Sequence, residues 1–450
     1  MHPMRPLVIH FVTVIVALAW SLRPVAAQTA APRQRPHVII IVSDDAGYRD
    51  FGCQGADDIR TPRIDSIAKG GIRFSNGYVS GPVCSPSRAG MMTGRYQQRF
   101  GHELNIPPRF SEENGLPLTE VTIADEMKAA GYRTIALGKW HLGYADKFHP
   151  LSRGFTHYWG FLQGARSYFP LKKPTRLNRL LRDREVQPES FDYMTDELGK
   201  QAAQYIEQRG EEPLFIYLAY NAVHTPMHAT ERDLEGLDGS ARRLKLIAMT
   251  HALDRSVGYV LDALSAEGIA DDTLVFFVND NGGATNNASE NGPLRGRKGT
   301  VWEGGIRVPF LARWPNGLPA GEVCDAPVIA LDLLPTCLAA AGAERRGQLP
   351  LDGVDLLPFL RGHRDEPPHE LLLWRHGDAK WAIRWGDWKL VKQGDDAPQL
   401  YNLAADVGEQ DDRAASEAAR VAKMTSRFET WAGELAKPRW RYGNKRSSKK

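Results

Sequence analysis

The chain has 450 residues, of which 42% are hydrophobic and 25% charged, and a formal net charge of +3. This composition excludes a disordered or fibrous chain and gives no basis for nucleic-acid binding; the length fits two or three domains. The cysteines Cys53, Cys84, Cys324 and Cys337 are too few for a disulfide framework, although spacing leaves a Cys324–Cys337 bridge open.

The chain begins like an export signal. Arg5 supplies a basic start, Leu7 to Leu22 is an apolar run short for a membrane span, and Val25-Ala26-Ala27 offers a cleavage site. The reading is a signal peptide over residues 1–27, cleaved after Ala27, and a periplasmic or secreted protein without a stable membrane anchor. After a Pro-containing linker (Ala30 to Pro36), four short apolar runs predict buried strands: Val38–Val42, Arg133–Leu137, Leu214–Ala219 and Thr273–Val278. Helical stretches lie between them, as at Thr122–Ala130 and Tyr193–Gln208. Strands separated by helices predict an α/β domain (36–343), a large and mostly parallel sheet flanked by helices. Leu371–Trp374, Trp381–Trp385 and Trp388–Val391, followed by the helical Ser416–Ala432, predict a smaller C-terminal antiparallel sheet plus helix (344–436). The stretch 437–450 is a basic tail, read as a solvated end.

In an open parallel sheet, ligands bind beyond the carboxyl ends of the strands. Asp44 and Asp45 follow the first run, Lys139 and His141 the second, His224 the third, and Asp280 and Asn281 the fourth. Each alone is an ordinary turn or surface residue. Together, Asp44, Asp45, Asp280 and Asn281 offer only oxygen ligands, which suits Ca²⁺ ahead of Mg²⁺. Lys139, Lys298 and the two histidines would then face an anionic ester.

The motif Cys84-Ser85-Pro86-Ser87-Arg88, continuing through Met91-Met92-Thr93-Gly94-Arg95, resembles the first signature of the type I sulfatases of the alkaline phosphatase superfamily. Gly131 to His141 (GYRTIALGKWH) resembles the second. Asp44-Asp45, Asp280-Asn281-Gly282 and Lys298-Gly299 ahead of Trp302-Glu303-Gly304-Gly305 also match the family's layout. Leu400 to Leu403 with Glu409 resembles its C-terminal portion more weakly.

The resemblance implies that a maturation enzyme oxidises Cys84 to formylglycine, whose hydrated form is the nucleophile. It implies one Ca²⁺ held by Asp44, Asp45, Asp280 and Asn281 and touching residue 84. Arg88 would orient the formylglycine, and Lys139 and Lys298 would bind sulfate oxygens. His224 would protonate the leaving alcohol, and His141 would take a proton during sulfate release. The expected substrate is a sulfated carbohydrate, with an aryl sulfate behind it. The rivals are a phosphate or phosphonate ester hydrolase of the same superfamily and a noncatalytic binder of sulfated glycans. Arg297, Arg166, Tyr168 and His376 are secondary candidates for sugar contact against a plainer reading as surface residues. Asn287-Ala288-Ser289 is a glycosylation sequon only in a eukaryotic source.

Overall fold

The computed structural model describes residues 35–440, together with Pro3. The expected signal segment and tail residues 441–450 lie outside the described residues. The strands, in chain order, begin with β1 (His37–Ser43), β2 (Ile72–Phe74), β3 (Gly77–Tyr78), β4 (Arg133–Lys139) and β5 (His157–Phe161). Next come β6 (Leu181–Arg182), β7 (Glu185–Val186), β8 (Leu214–Ala219), β9 (Thr273–Asn279), β10 (Phe310–Arg313), β11 (Glu322–Cys324) and β12 (Val328–Ile329). The C-terminal strands are β13 (Leu371–His376), β14 (Lys380–Trp385), β15 (Trp388–Gln393) and β16 (Gln399–Asn402).

One sheet runs β11-β2-β10-β9-β1-β8-β4-β5-β6-β7. Its centre is parallel: Ile40 of β1 lies opposite Tyr217 of β8 and Phe276 of β9. Strand β10 joins antiparallel, as do β6 and β7 at the far edge. The strands β1, β8 and β9 read as unbroken apolar runs because both faces are covered. Val38, Ile40 and Val42 enter one core and Ile39 and Ile41 the other. The second core is capped by the helices Met194–Glu207 and Ala241–Ala266. The sequence pattern did not isolate the latter, because most of its length is buried on several sides and carries no clean apolar stripe.

The four C-terminal strands form an antiparallel sheet in the order β13-β14-β15-β16, against which the helix Ala418–Gly433 packs. This sheet shares a core with Tyr78, Val301, Trp302 and Ile306. The indole of Trp374 is fully buried and donates to Val79 O at 2.7 Å. All four cysteines are free, so Cys324 and Cys337 do not pair. The basic tail also starts differently from expectation. Arg439 N donates to Gly101 O at 2.9 Å, and Trp440 is buried with its indole on Leu104 O and Asn105 O, so the tail begins as a packed strap. Among the described residues, no helix is long and apolar enough to cross a membrane.

The junction between the two sheets is ionic as well as apolar. Lys389 Nζ lies 2.7 Å from Glu303 Oε1 and 3.0 Å from Glu409 Oε1, with all three side chains buried. Tyr78 donates to Glu303 Oε2 at 2.7 Å, and Glu303 N donates to Glu409 Oε2 at 2.8 Å. Burial opposes both carboxylates; Lys389 overcomes it at Glu303, held down to about 2, whereas burial wins at Glu409, pushed up to about 7. Arg307, 3.4 Å from Glu303 Oε2, adds to Lys389 at Glu303, whereas among the described residues Glu409 pairs with Lys389 alone. Lys389→Ala would leave the buried Glu409 without its cation, a change that costs roughly 3–5 kcal/mol. Denaturant unfolding should show a loss of that size, whereas a loss below about 1 kcal/mol would mean the network is not structural.

Candidate functional site

The loops after β1, β8 and β9 and the last residue of β4 converge on one buried pocket. Asp44 and Asp45 follow β1, Lys139 ends β4, His224 follows β8, and Asp280 and Asn281 follow β9. The helix Cys84–Thr93 delivers its first residue to the same place, with Pro86 in the first turn, where a missing N–H costs nothing. The Cys84 thiol donates to Asp44 Oδ1 at 3.5 Å, and Lys298 Nζ donates to Cys84 Sγ at 3.3 Å. Every residue nominated from the sequence for catalysis or metal binding falls in this cluster.

Its order is electrostatic. Arg88 is fully buried and clamps Asp280 Oδ2 through Nε (2.9 Å) and Nη2 (2.8 Å), while Nη1 donates to Lys139 O at 3.1 Å. Lys139 Nζ pairs with Asp44 Oδ2, and Lys298 Nζ reaches Asp45 Oδ1 at 2.6 Å. Burial would raise the Asp44 carboxyl, but Lys139, then His224, Arg88 and Lys298, hold it well below the usual range. Asp280 goes the other way, pushed up first by burial and then by the neighbouring Asp44 charge. Burial works against the Lys298 ammonium, yet Asp45 keeps it firmly protonated. His141 is driven well below 6.5 by burial, then by Lys139 and Arg88, and is a neutral imidazole.

Backbone geometry serves the same pocket. Asp45 sits at φ 60 and His141 at φ 56, in the left-handed region. Asn287 Nδ2 and Ser289 Oγ both donate to Asp45 O, at 3.0 and 2.8 Å. Asn287 is completely buried in this role, which argues against a sugar-bearing sequon there. Ser85 Oγ donates to His141 O and shares a 2.7 Å hydrogen bond with His102 Nε2. Gly164 lies under His141, where a Cβ would come within 2.4 Å of the ring.

Two secondary candidates for sugar contact are corrected. Arg166 is buried, paired with Glu189 and packed between Phe161 and Phe191. Tyr168 is fully buried, and its hydroxyl meets Asn221 O and, at 2.8 Å, His224 O. It therefore holds the loop that carries His224. The supporting roles of Ser85, His102, Tyr168 and Asn287 were not legible, because Ser85, Tyr168 and Asn287 act on backbone carbonyls distant in sequence and His102 acts through the Ser85 hydroxyl. The Ser85 position inside the Cys84 motif was the only available signal.

The pocket fits a cation. Asp280 Oδ1 and Asn281 Oδ1 are buried without a hydrogen-bond partner. Ligand atoms of Asp44, Asp45, Cys84 and His224 lie within 4.8 Å of one another. A thiol and an imidazole would suit zinc, but the unpartnered Asp280 and Asn281 atoms are oxygens, and the carboxylates of Asp44 and Asp45 add further oxygen ligands. That donor set favours a hard ion.

The family model described as Sulfatase matches residues 36–343. Human steryl-sulfatase is 30% identical over 470 residues, covering 85% of this chain and 78% of that protein. The N-acetylgalactosamine-6-sulfatase of Canis lupus familiaris is 31% identical over 404 residues, covering 84% and 76%. The crystal structure of Ps i-CgsB in complex with k-i-k-neocarrahexaose superposes with a TM-score of 0.85 at 38% identity, covering 90% of this chain and 95% of that one. The phosphonate monoester hydrolase of Agrobacterium radiobacter, at 20% identity and a TM-score of 0.66, shares the fold alone. Members of the matched family generally use a formylglycine and a metal ion. The chain belongs to the sulfatase family and is a sulfuric ester hydrolase.

Proposed function

We propose that the protein removes sulfate from a sulfated carbohydrate, using a formylglycine made from Cys84 and one calcium ion. The observation that carries this reading is the seat of Cys84 at a helix N-terminus, between Lys298 (3.3 Å) and Asp44 (3.5 Å). Burial pushes the Cys84 thiol up to about 12 despite Lys139 and Lys298, so as cysteine it stays protonated and is a poor nucleophile at neutral pH. A pocket built around an inert thiol makes chemical sense if that side chain is converted. The carbohydrate preference is supported by the neocarrahexaose bound to one relative and the N-acetylgalactosamine in the name of another.

Hydrated formylglycine supplies an oxygen nucleophile with a second hydroxyl that later lets sulfate depart. Asp44, Asp45, Asp280 and Asn281 would hold the calcium ion, which when bound would supply Lewis-acid polarisation at this pocket. The remaining roles belong to the chain. Arg88, clamped on Asp280, orients residue 84. Lys139 and Lys298 bind sulfate oxygens and stabilise the charge that grows as the ester bond breaks. His224 shares a 2.6 Å hydrogen bond between Nδ1 and Thr225 O, which leaves Nε2 to carry the proton for the leaving alcohol. Asp45 Oδ2 lies 3.5 Å from that Nε2. Neutral His141 accepts a proton from residue 84 as sulfate leaves. The maturation enzyme and export to the periplasm or medium belong to the same reading.

Two outcomes check it. Produced with a formylglycine-generating enzyme, the protein should be about 18 Da lighter at residue 84, as exchange of thiol for aldehyde requires. It should release sulfate from sulfated oligosaccharides, while Cys84→Ala releases none. An unconverted protein with full activity would contradict the nucleophile. Tyr168→Phe should lower kcat on the order of tenfold or more with little change in KM, because it loosens the His224 loop, not the sulfate contacts. An unchanged kcat would remove Tyr168 from the positioning of His224.

A further inference from the structure

The β13–β14 hairpin reaches from the C-terminal sheet onto the loop that carries the catalytic lysine. Lys380 Nζ donates to Gly299 O at 2.7 Å, one residue beyond Lys298. Arg297 precedes Lys298, so their Cα atoms are about 3.8 Å apart. The turn is stiff: Arg297 O accepts from Thr300 Oγ1 at 2.7 Å, and Thr300 Oγ1 accepts from Arg297 N at 3.1 Å. Gly299 N is tied to Pro82 O, two residues before Cys84.

This corner carries positive charge without a matching acid. The Arg297 side chain is exposed and that of Lys380 is half-buried. Among the described residues, neither takes part in an ion pair with a carboxylate. Burial, and then the neighbouring Arg297 charge, pull Lys380 below the ordinary lysine value. Asp378, on the intervening turn, acts on Glu103, which itself pairs with Arg375. His376, opposite Lys380 in the hairpin, is pushed down to about 4 by burial and then Lys380, and adds no charge. Two like charges held together beside an anion-binding pocket cost free energy unless an anion joins them.

We propose that Arg297 and Lys380 form a second anion subsite, which binds a further sulfate or carboxylate on the same saccharide whose scissile sulfate meets Lys298. The inference rests on the sulfated-carbohydrate reading and narrows it to polyanionic chains. The catalytic cluster handles the sulfate that leaves, and the hairpin corner selects chains that keep another charge nearby. Because the subsite is at the rim, its contribution falls as salt rises.

The test is calorimetric binding to the full-length Cys84→Ala protein, which holds substrate without turnover. Galacto-oligosaccharides of one length would carry one sulfate, two sulfates, or one sulfate and one uronate. The protein should prefer the doubly charged chains. Arg297→Gln and Lys380→Met should each cut that preference on the order of tenfold, and Lys380→Arg should keep it. Whichever doubly charged chain shows the larger loss identifies the natural second anion. Equal loss for singly and doubly charged chains would mean that Lys380 only positions Lys298, and would overturn the subsite. No preference in the parent protein would overturn it as well. Failure of the underlying reading shows elsewhere, as absence of sulfate release by the converted wild-type enzyme.

Discussion

Ionised carboxylates crowded into a buried pocket repel one another, by about 4 kcal/mol for a pair 4 Å apart at an effective dielectric constant near 20. Asp44, Asp45 and Asp280 are all buried here, and Arg88, Lys139 and Lys298 stand among them, three cations against three acids. The set is close to neutral without an ion, and the upward pull on Asp280 shows that the balance is strained. A divalent cation would relieve the acids and release the two lysines toward sulfate, giving the pocket a net charge of about +2 to meet an anionic ester. The positions of the strand ends, the Arg88 clamp and the left-handed Asp45 all follow from holding this charge pattern in place.

The scaffold does this with few parts. Parallel strands bring Asp44, Lys139, His224 and Asp280 to one edge of the sheet, and a single helix adds Cys84 and Arg88 one turn apart. The C-terminal sheet contributes through the Lys389 junction and the Lys380 contact with Gly299. It therefore acts on the same loop, Arg297 to Ile306, from both ends. The packed start of the basic tail works similarly: Trp440 stacks edge-on against His102, which bonds Ser85 beside Cys84.

Much of this was legible in the sequence, for physical reasons. Buried parallel strands cannot hide: Val38–Val42, Leu214–Ala219 and Thr273–Val278 stand out because both faces are dry, and the structure extends them by only a residue or so. Hard-ion ligands and cations after strand ends are equally visible. The helix Ala241–Ala266 and the two- and three-residue strands were not, since one lacks a polar face and the others lack length. Residues acting through backbone carbonyls gave no pattern of that role, apart from the place of Ser85 inside the Cys84 motif. Tyr168 and Arg166 looked like candidates for a sugar surface, yet their polar ends are satisfied inside the protein. Asn287 looked like a modification site and instead supports Asp45.

The central claim is that the acid cluster exists to hold one hard divalent ion. Its most direct measurement is a calorimetric titration of Ca²⁺ into the metal-free protein and into Asp280→Asn, with Zn²⁺ as competitor. The account predicts one Ca²⁺ per chain, an affinity lowered on the order of 10- to 100-fold by Asp280→Asn, and no displacement by equimolar Zn²⁺. Undiminished Ca²⁺ binding by Asp280→Asn, or replacement of the ion by zinc, would contradict it.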